Sequence, residues 1–162
     1  MVFVQISGNS NIDPSYFDHA ITPPTPEDLE KTFNNVASPF LAAAKQLLTD
    51  INTSPTPSVA RFQGDVAIFN NASTVVGDEL ATLQQQYPPT SVSPCSTYVT
   101  SLMSWFDNSS LVQTRTIGGI LSERIPYIGK TVDKVPITLP LILESLPESS
   151  SFMNDLPPVP QP

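Results

Sequence analysis

Residues 59–87 read VARFQGDVAIFNNASTVVGDELATLQQQY, and this stretch decides the fold. Its apolar positions are Val59, Phe62, Val66, Phe69, Val76, Leu80, Leu83 and Tyr87, with Ser73 filling the one gap. They recur at alternating steps of three and four. That rhythm gathers side chains on one face of an α-helix, whereas a strand would scatter them over both faces. A helix over 57–87 would be about 46 Å long. Its flanks carry Gln63, Asp65, Asn70, Gly77, Glu79 and Gln84, without the Glu and Lys pairs that select a coiled-coil partner. The apolar face is therefore expected to be met by other helices of the same chain. Gly64 and Gly77 lie off the seam and each weakens the helix by about 1 kcal/mol relative to Ala. Close helix approach would give either glycine a purpose.

Working outward, one punctuation mark recurs. Thr25-Pro26, Thr56-Pro57 and Ser93-Pro94 each place a hydroxyl at a helix N-cap and proline at the first helical position. The hydroxyl accepts a bond from an orphan backbone N–H, and proline there has no N–H to lose. Asp28, three residues after Thr25, completes a capping-box variant. These starts predict helices over 26–51, 57–87 and 94–107. In the first, Leu29, Phe33, Val36, Phe40, Ala44, Leu47 and Ile51 trace one face, and Pro39 predicts a kink, or a break with Ser38 as a second cap. The third carries Tyr98, Leu102, Trp105 and Phe106. A fourth helix over 111–128 is interrupted by Gly118-Gly119 and Pro126. Residues 130–147 mix aliphatics with Pro136, Pro140 and Pro147 and read as short broken helices. The expected fold is all-α: a bundle of about four antiparallel helices (26–51, 57–87, 94–107, 111–128) followed by that broken segment. An extended arm (1–24) with a short strand at Val2–Ile6 precedes the bundle domain (25–147), and a Pro-rich tail (148–162) follows it.

Composition narrows the function classes. The chain has 162 residues, enough for one domain with its own core, and a net charge of −8. An acidic domain repels phosphate backbones, so nucleic acid is excluded as a partner. Apolar runs fall short of the roughly 18 residues of a membrane span. The single Cys95 rules out an intrachain disulfide and a cysteine metal cluster, and no metal-ligand or calcium-loop spacing occurs. No cofactor motif is present: Gly118-Gly119 lacks the other glycines and the lysine of a phosphate loop.

Catalytic groups are equally sparse. His19 is the only histidine, and no spacing brings it to Cys95. Glu27, Asp28 and Glu30 suit the positive start of a helix, and Asp78 and Glu79 a solvated face. Glu123, Arg124 and Tyr127 are the residues an acid–base site inside the bundle would use. Arg115, Arg124 and Lys130, with Lys134 nearby, form a local excess of positive charge able to contact an anion. Pro157-Pro158-Val159-Pro160 matches the Pro-x-x-Pro core of proline-rich ligands but lacks a basic flank. Asn52, Asn71 and Asn108 head N-glycosylation sequons.

These readings converge on a secreted, non-enzymatic helical binding protein, its leader absent from this chain, that engages an apolar small molecule or a hydrophobic surface. Phe62, Phe69, Tyr98, Trp105 and Phe106 would serve as core or as the walls of an apolar cavity. Over residues 26–147 the texture resembles small secreted fungal proteins that bind hydrophobic surfaces, which are likewise Ser/Thr/Ala-rich helical chains with few charges. No motif accompanies that likeness. The alternatives are a cytoplasmic location, an accessory subunit that holds protein partners through its Pro-rich arms, and an enzyme using the Glu123 group.

Overall fold

The computed structural model describes residues 24–147 and 155–160. The expected strand at Val2–Ile6 and His19 lie outside the described residues. Helix α1 spans Pro26–Asn52 and opens as its sequence implies. Asp28 N–H donates to the Thr25 hydroxyl (3.2 Å), and Thr25 N–H donates to the Asp28 carboxylate (3.0 Å). The Thr25 backbone bond, more than any other cause, holds the Asp28 carboxyl below its usual pKa. The helix runs through Pro39 without a break, and the Ser38 hydroxyl donates to Asn34 Oδ1 instead of capping a new segment.

Helix α2 covers Val59–Gln86, two residues later than expected. Its N-cap is Ser58, whose hydroxyl accepts from Arg61 N–H (3.2 Å), so Thr56-Pro57 belongs to the turn. Helix α3 covers Pro94–Phe106 under the expected Ser93 cap. Helix α4 covers Ser109–Arg124, capped by Asn108, and continues as one 3-10 turn, Ile125–Tyr127, around Pro126.

The contacts fix the directions. Asp50 meets Arg61, Phe40 stacks on Phe69, and Thr25 and Tyr87 wall one cavity, so α1 and α2 are antiparallel. Asn70 bonds Gly118, and Val66 and Ser122 share a cavity, so α4 runs antiparallel along the first half of α2. Gly77 faces Phe106, and Gln84 shares a cavity with Thr100, so α3 does the same along the second half. The third and fourth predicted helices therefore follow one another along α2, and the bundle has three rods, the third interrupted at Asp107–Asn108.

That interruption is stapled from below. Arg115 Nη2 donates to the Phe106 carbonyl (2.6 Å), one of the acceptors a helix end leaves orphaned. Its guanidinium lies 3.8 Å over the Phe106 ring and 3.9 Å from the Asp107 carboxylate. Burial pulls the Arg115 pKa down, and Asp107 acts against that shift.

The core lies where the three rods meet. Phe33, Phe40, Phe62, Phe69 and Tyr98 have no exposed surface. Phe40 is the hub: it stacks on Phe69 at 5.5 Å and meets Trp105 and Phe106 at 6.2 and 5.8 Å. Such pairs add about 0.5–1.5 kcal/mol to simple area burial. Close approach is needed at Gly118, not at Gly64 or Gly77. A Cβ on Gly118 would stand 2.8 Å from Asn70 Oδ1 and from the Phe69 ring, whereas one on Gly64 meets nothing within 4 Å.

Beyond α4 the structure departs from the expected broken helices. Strands β1 (Thr131–Val132) and β2 (Val135–Pro136) pair antiparallel, Val132 opposite Val135. Asp133 and Lys134 form the two-residue turn with φ of 51° and 68°, the left-handed pair that matches strand twist in a tight hairpin. A six-residue helix, α5 (Leu139–Glu144), follows with Thr138 as its cap. The described tail does not project. Leu156 and Val159 pack on the core, and the Tyr98 hydroxyl donates to the Pro157 carbonyl (3.4 Å). Burial pushes the Tyr98 pKa up to about 12, so the phenol stays a donor.

Candidate functional site

The bundle keeps its aromatic seam closed and opens at its ends. At the α1–α2 turn, three distant segments wall an apolar cleft of about 510 Å³. Pro57 and Val59 come from the start of α2, Ile128 and Gly129 from the end of the 3-10 turn, and Pro136, Ile137, Leu139 and Pro140 from the hairpin and α5. The folding logic is local. Pro126 ends the third rod, and Gly129 at φ 92° turns the chain back. The Ile137 N–H then donates to the Lys130 carbonyl (2.8 Å) and the Gly129 N–H to the Ile137 carbonyl (2.9 Å), which closes the neck of the hairpin. Leu139 and Ile142 anchor α5 in the core.

Exposed apolar side chains stand close to these lining segments in the chain. Tyr127 is 52% exposed, Val132 57%, Val135 53% and Leu141 43%, half of the large exposed hydrophobic residues in the described chain. Lys130 Nζ stands 5.4 Å over the Tyr127 ring.

A second apolar cleft of about 370 Å³ lies at the opposite end, lined by Pro24, Pro26, Tyr87, Pro94 and Cys95. The Cys95 thiol is buried and donates to the Pro24 carbonyl (3.2 Å). Burial first, then Asp28 and Glu27, raises its pKa, which disfavours the reactive thiolate.

The residues singled out in the sequence fall into separate places. Phe62, Phe69 and Tyr98 are fully buried, Trp105 is 6% exposed and Phe106 is half-buried. All five belong to the core or pack against it, Trp105 and Phe106 meeting each other and Phe40 joining them to Phe69, and they line neither apolar cleft. Arg115 is engaged at the α3–α4 joint. Arg124, nine residues and about 14 Å further along α4, donates to Ser145 Oγ (2.6 Å) and ties the third rod to α5. Lys130 lies on the hairpin side. The three cations are held by different partners and form no common anion pocket. Glu123, Arg124 and Tyr127 are exposed, so the interior acid–base site expected of them is not formed. Asn52 and Asn71 are exposed, and Asn108 is half-buried with Oδ1 accepting from Ser110 N–H (2.9 Å). Pro157 and Pro160 of the Pro-x-x-Pro stretch are half-buried.

A second polar group went unseen in the sequence. Asp50, only 1% exposed, accepts from Gln46 Nε2 (2.9 Å) and pairs with Arg61 Nη2 (3.3 Å). Asp65 lies beside it, its Oδ2 3.7 Å from Arg61 Nε. The overlooked signal is that Asp50 stands three residues after Leu47, on the apolar face, while Ile51 is only half-buried.

Among the described residues no group of three or more His, Cys, Asp or Glu side chains is placed to hold a metal, and no helix is long and apolar enough to cross a membrane. No protein-family model, curated protein or solved structure matches this chain.

Proposed function

We propose that this chain is a secreted, non-enzymatic binding protein that engages an apolar molecule or hydrophobic surface at the cleft formed by 56–59, 128–129 and 136–140. The observation that carries the reading is the apolar cleft itself, with the exposed Tyr127, Val132, Val135 and Leu141 close to its lining segments in the chain. Its volume falls within the roughly 300–1,000 Å³ of ordinary small-ligand sites. The lining is mostly aliphatic, and the hydroxyls of Ser58 and Thr138 within it already accept helix N–H groups, which suits a ligand recognised by shape and oiliness.

Binding of the neutral, environment-sensitive dye Nile red tests this, together with adsorption to a hydrophobic bead. Val135→Asp and Leu141→Asp change exposed residues and should leave the fold intact. Each is expected to weaken dye binding at least tenfold, whereas Ile68→Asp, an equally exposed position on α2, leaves it unchanged. Equal binding by all four proteins refutes the cleft. Expression in a secreting host followed by glycan analysis at Asn52, Asn71 and Asn108 tests the compartment.

A further inference from the structure

Asp50 and Asp65 pose a problem that Arg61 alone does not solve. Asp50 is almost completely buried, and a buried carboxylate requires a partner for each oxygen. Its Oδ1 receives Gln46 and Arg61, but its Oδ2 and the Oδ2 of Asp65 have no hydrogen-bond donor. Both carboxyls converge on the one guanidinium of Arg61, at 3.3 and 3.7 Å, and each keeps a buried oxygen that nothing donates to. Asp50, acting first as a hydrogen-bond partner, then burial and the Asp50 charge push the Asp65 pKa up. Arg61 opposes the shift, yet its side chain is 55% exposed and screened by water. No charged group from α4, the hairpin or α5 is among the causes acting on Asp65. One cation beside two carboxyls leaves one negative charge too many, and a proton both removes it and supplies the missing donor.

We propose that Asp50 and Asp65 share one proton, that this proton clasps the turn end of α1 to α2, and that the clasp steadies the α2 wall of the apolar cleft. Ser58 and Val59 of that wall lie within three residues of Arg61, in the same first turn of α2. The link to the cleft rests on the binding reading above; the shared proton does not. The linkage has a definite sign. A folded-state pKa above the unfolded one gives stability that is fully present below the ordinary aspartate value of 3.8. It is lost as pH rises through the Asp65 value. The clasp is thus closed below the raised Asp65 value and opens above it.

The test is a carbon-13 NMR titration of the aspartate carboxyls in the full chain, with melting curves across the same pH range. Asp65→Asn keeps the Arg61 pair and offers a permanent N–H to Asp50. Asp78→Asn, at an exposed position on the same helix, makes the same change in net charge. Asp65 is expected to titrate above the ordinary carboxylate range. The wild type and Asp78→Asn should lose melting temperature as pH rises through that window, while Asp65→Asn loses none and melts highest above it. An Asp65 that titrates with the exposed aspartates overturns the proposal, as does an Asp65→Asn protein with the wild-type slope. If Asp65→Asn fails to fold, the wild-type titration decides alone. Nile red affinity should fall with rising pH in the wild type and stay level in Asp65→Asn; a level response in both overturns the link to the cleft. Absence of dye binding at every pH refutes the cleft reading instead, and the titration still judges the proton.

Discussion

Replacing Gly118 with Ala measures how closely α2 and α4 approach. In an isolated helix the change would be favourable by about 1 kcal/mol, since alanine loses less backbone freedom. Here the added methyl lands 2.8 Å from Asn70 Oδ1 and from two carbons of the Phe69 ring. Comfortable carbon contacts lie at about 3.5–4.0 Å, so the overlap is roughly 0.7 Å or more. Phe69 has no free direction, because it is fully buried and stacked on Phe40. Asn70 can swing away only by releasing its 3.3 Å bond to the Gly118 carbonyl. Overpacking of this kind costs about 1–3 kcal/mol and the lost bond about 0.5–1.5 kcal/mol. The net expectation is a loss of about 2 kcal/mol after the helix preference is credited.

Gly119, next in the chain, supplies the control. A Cβ there meets nothing within 4 Å, so Gly119→Ala should gain about 1 kcal/mol from helix preference alone. The two neighbours therefore shift stability in opposite directions. Denaturant unfolding followed by circular dichroism at 222 nm resolves the difference, and a 1 kcal/mol change moves the melting temperature by roughly 3–4 °C for a chain of this size. A Gly118→Ala protein as stable as the wild type, or two variants shifted alike, would refute the packing of α4 on α2.

Arg115→Ala should cost about 2 kcal/mol, because it strips a charged donor from the Phe106 carbonyl and a cation from its ring. Arg115→Lys should recover little of this, since an ammonium cannot lie flat on the ring while it donates sideways; a urea midpoint for Lys equal to wild type counts against the staple. Ser58→Ala should cost about 1 kcal/mol and Thr56→Ala only a few tenths, which thermal melting would reverse if α2 began at Pro57.

The helices were legible because their core positions are dictated by geometry that sequence displays directly. Phe62, Val66, Phe69, Val76, Leu80 and Leu83 are buried along the seam that their spacing defines. Thr25 and Ser93 cap as their prolines imply, but Thr56 competes with Ser58, and the second hydroxyl takes the Arg61 N–H. The hairpin was hidden by its turn. Rules for tight hairpins look for Asn-Gly or Asp-Gly; Asp133 fits the first position, but Lys134 stands at positive φ where glycine is expected. The cleft was illegible for a different reason. Its walls come from positions about 70 residues apart, and no local period says that the α1–α2 turn and the hairpin share one end of the bundle. The Asp50–Asp65 pair was masked by Ile51, which carries the same helical rhythm one position later.

The energetics also favour the ends of the bundle over its aromatic seam as the place of the proposed binding. Burying one Phe or Leu stabilises the fold by about 1.5–3 kcal/mol. Opening the seam would expose Phe33, Phe40, Phe62, Phe69 and Tyr98 together, all at zero exposure. That approaches the whole 5–15 kcal/mol by which a domain of this kind is stable. A ligand bound at 1 μM supplies about 8 kcal/mol in total, so it would spend most of its affinity on prying the rods apart. The cleft at the α1–α2 turn needs no such opening, since its mostly apolar walls stand apart already. Dye binding that survives Val135→Asp and Leu141→Asp but weakens in step with global stability would reverse this ordering and return the site to the seam.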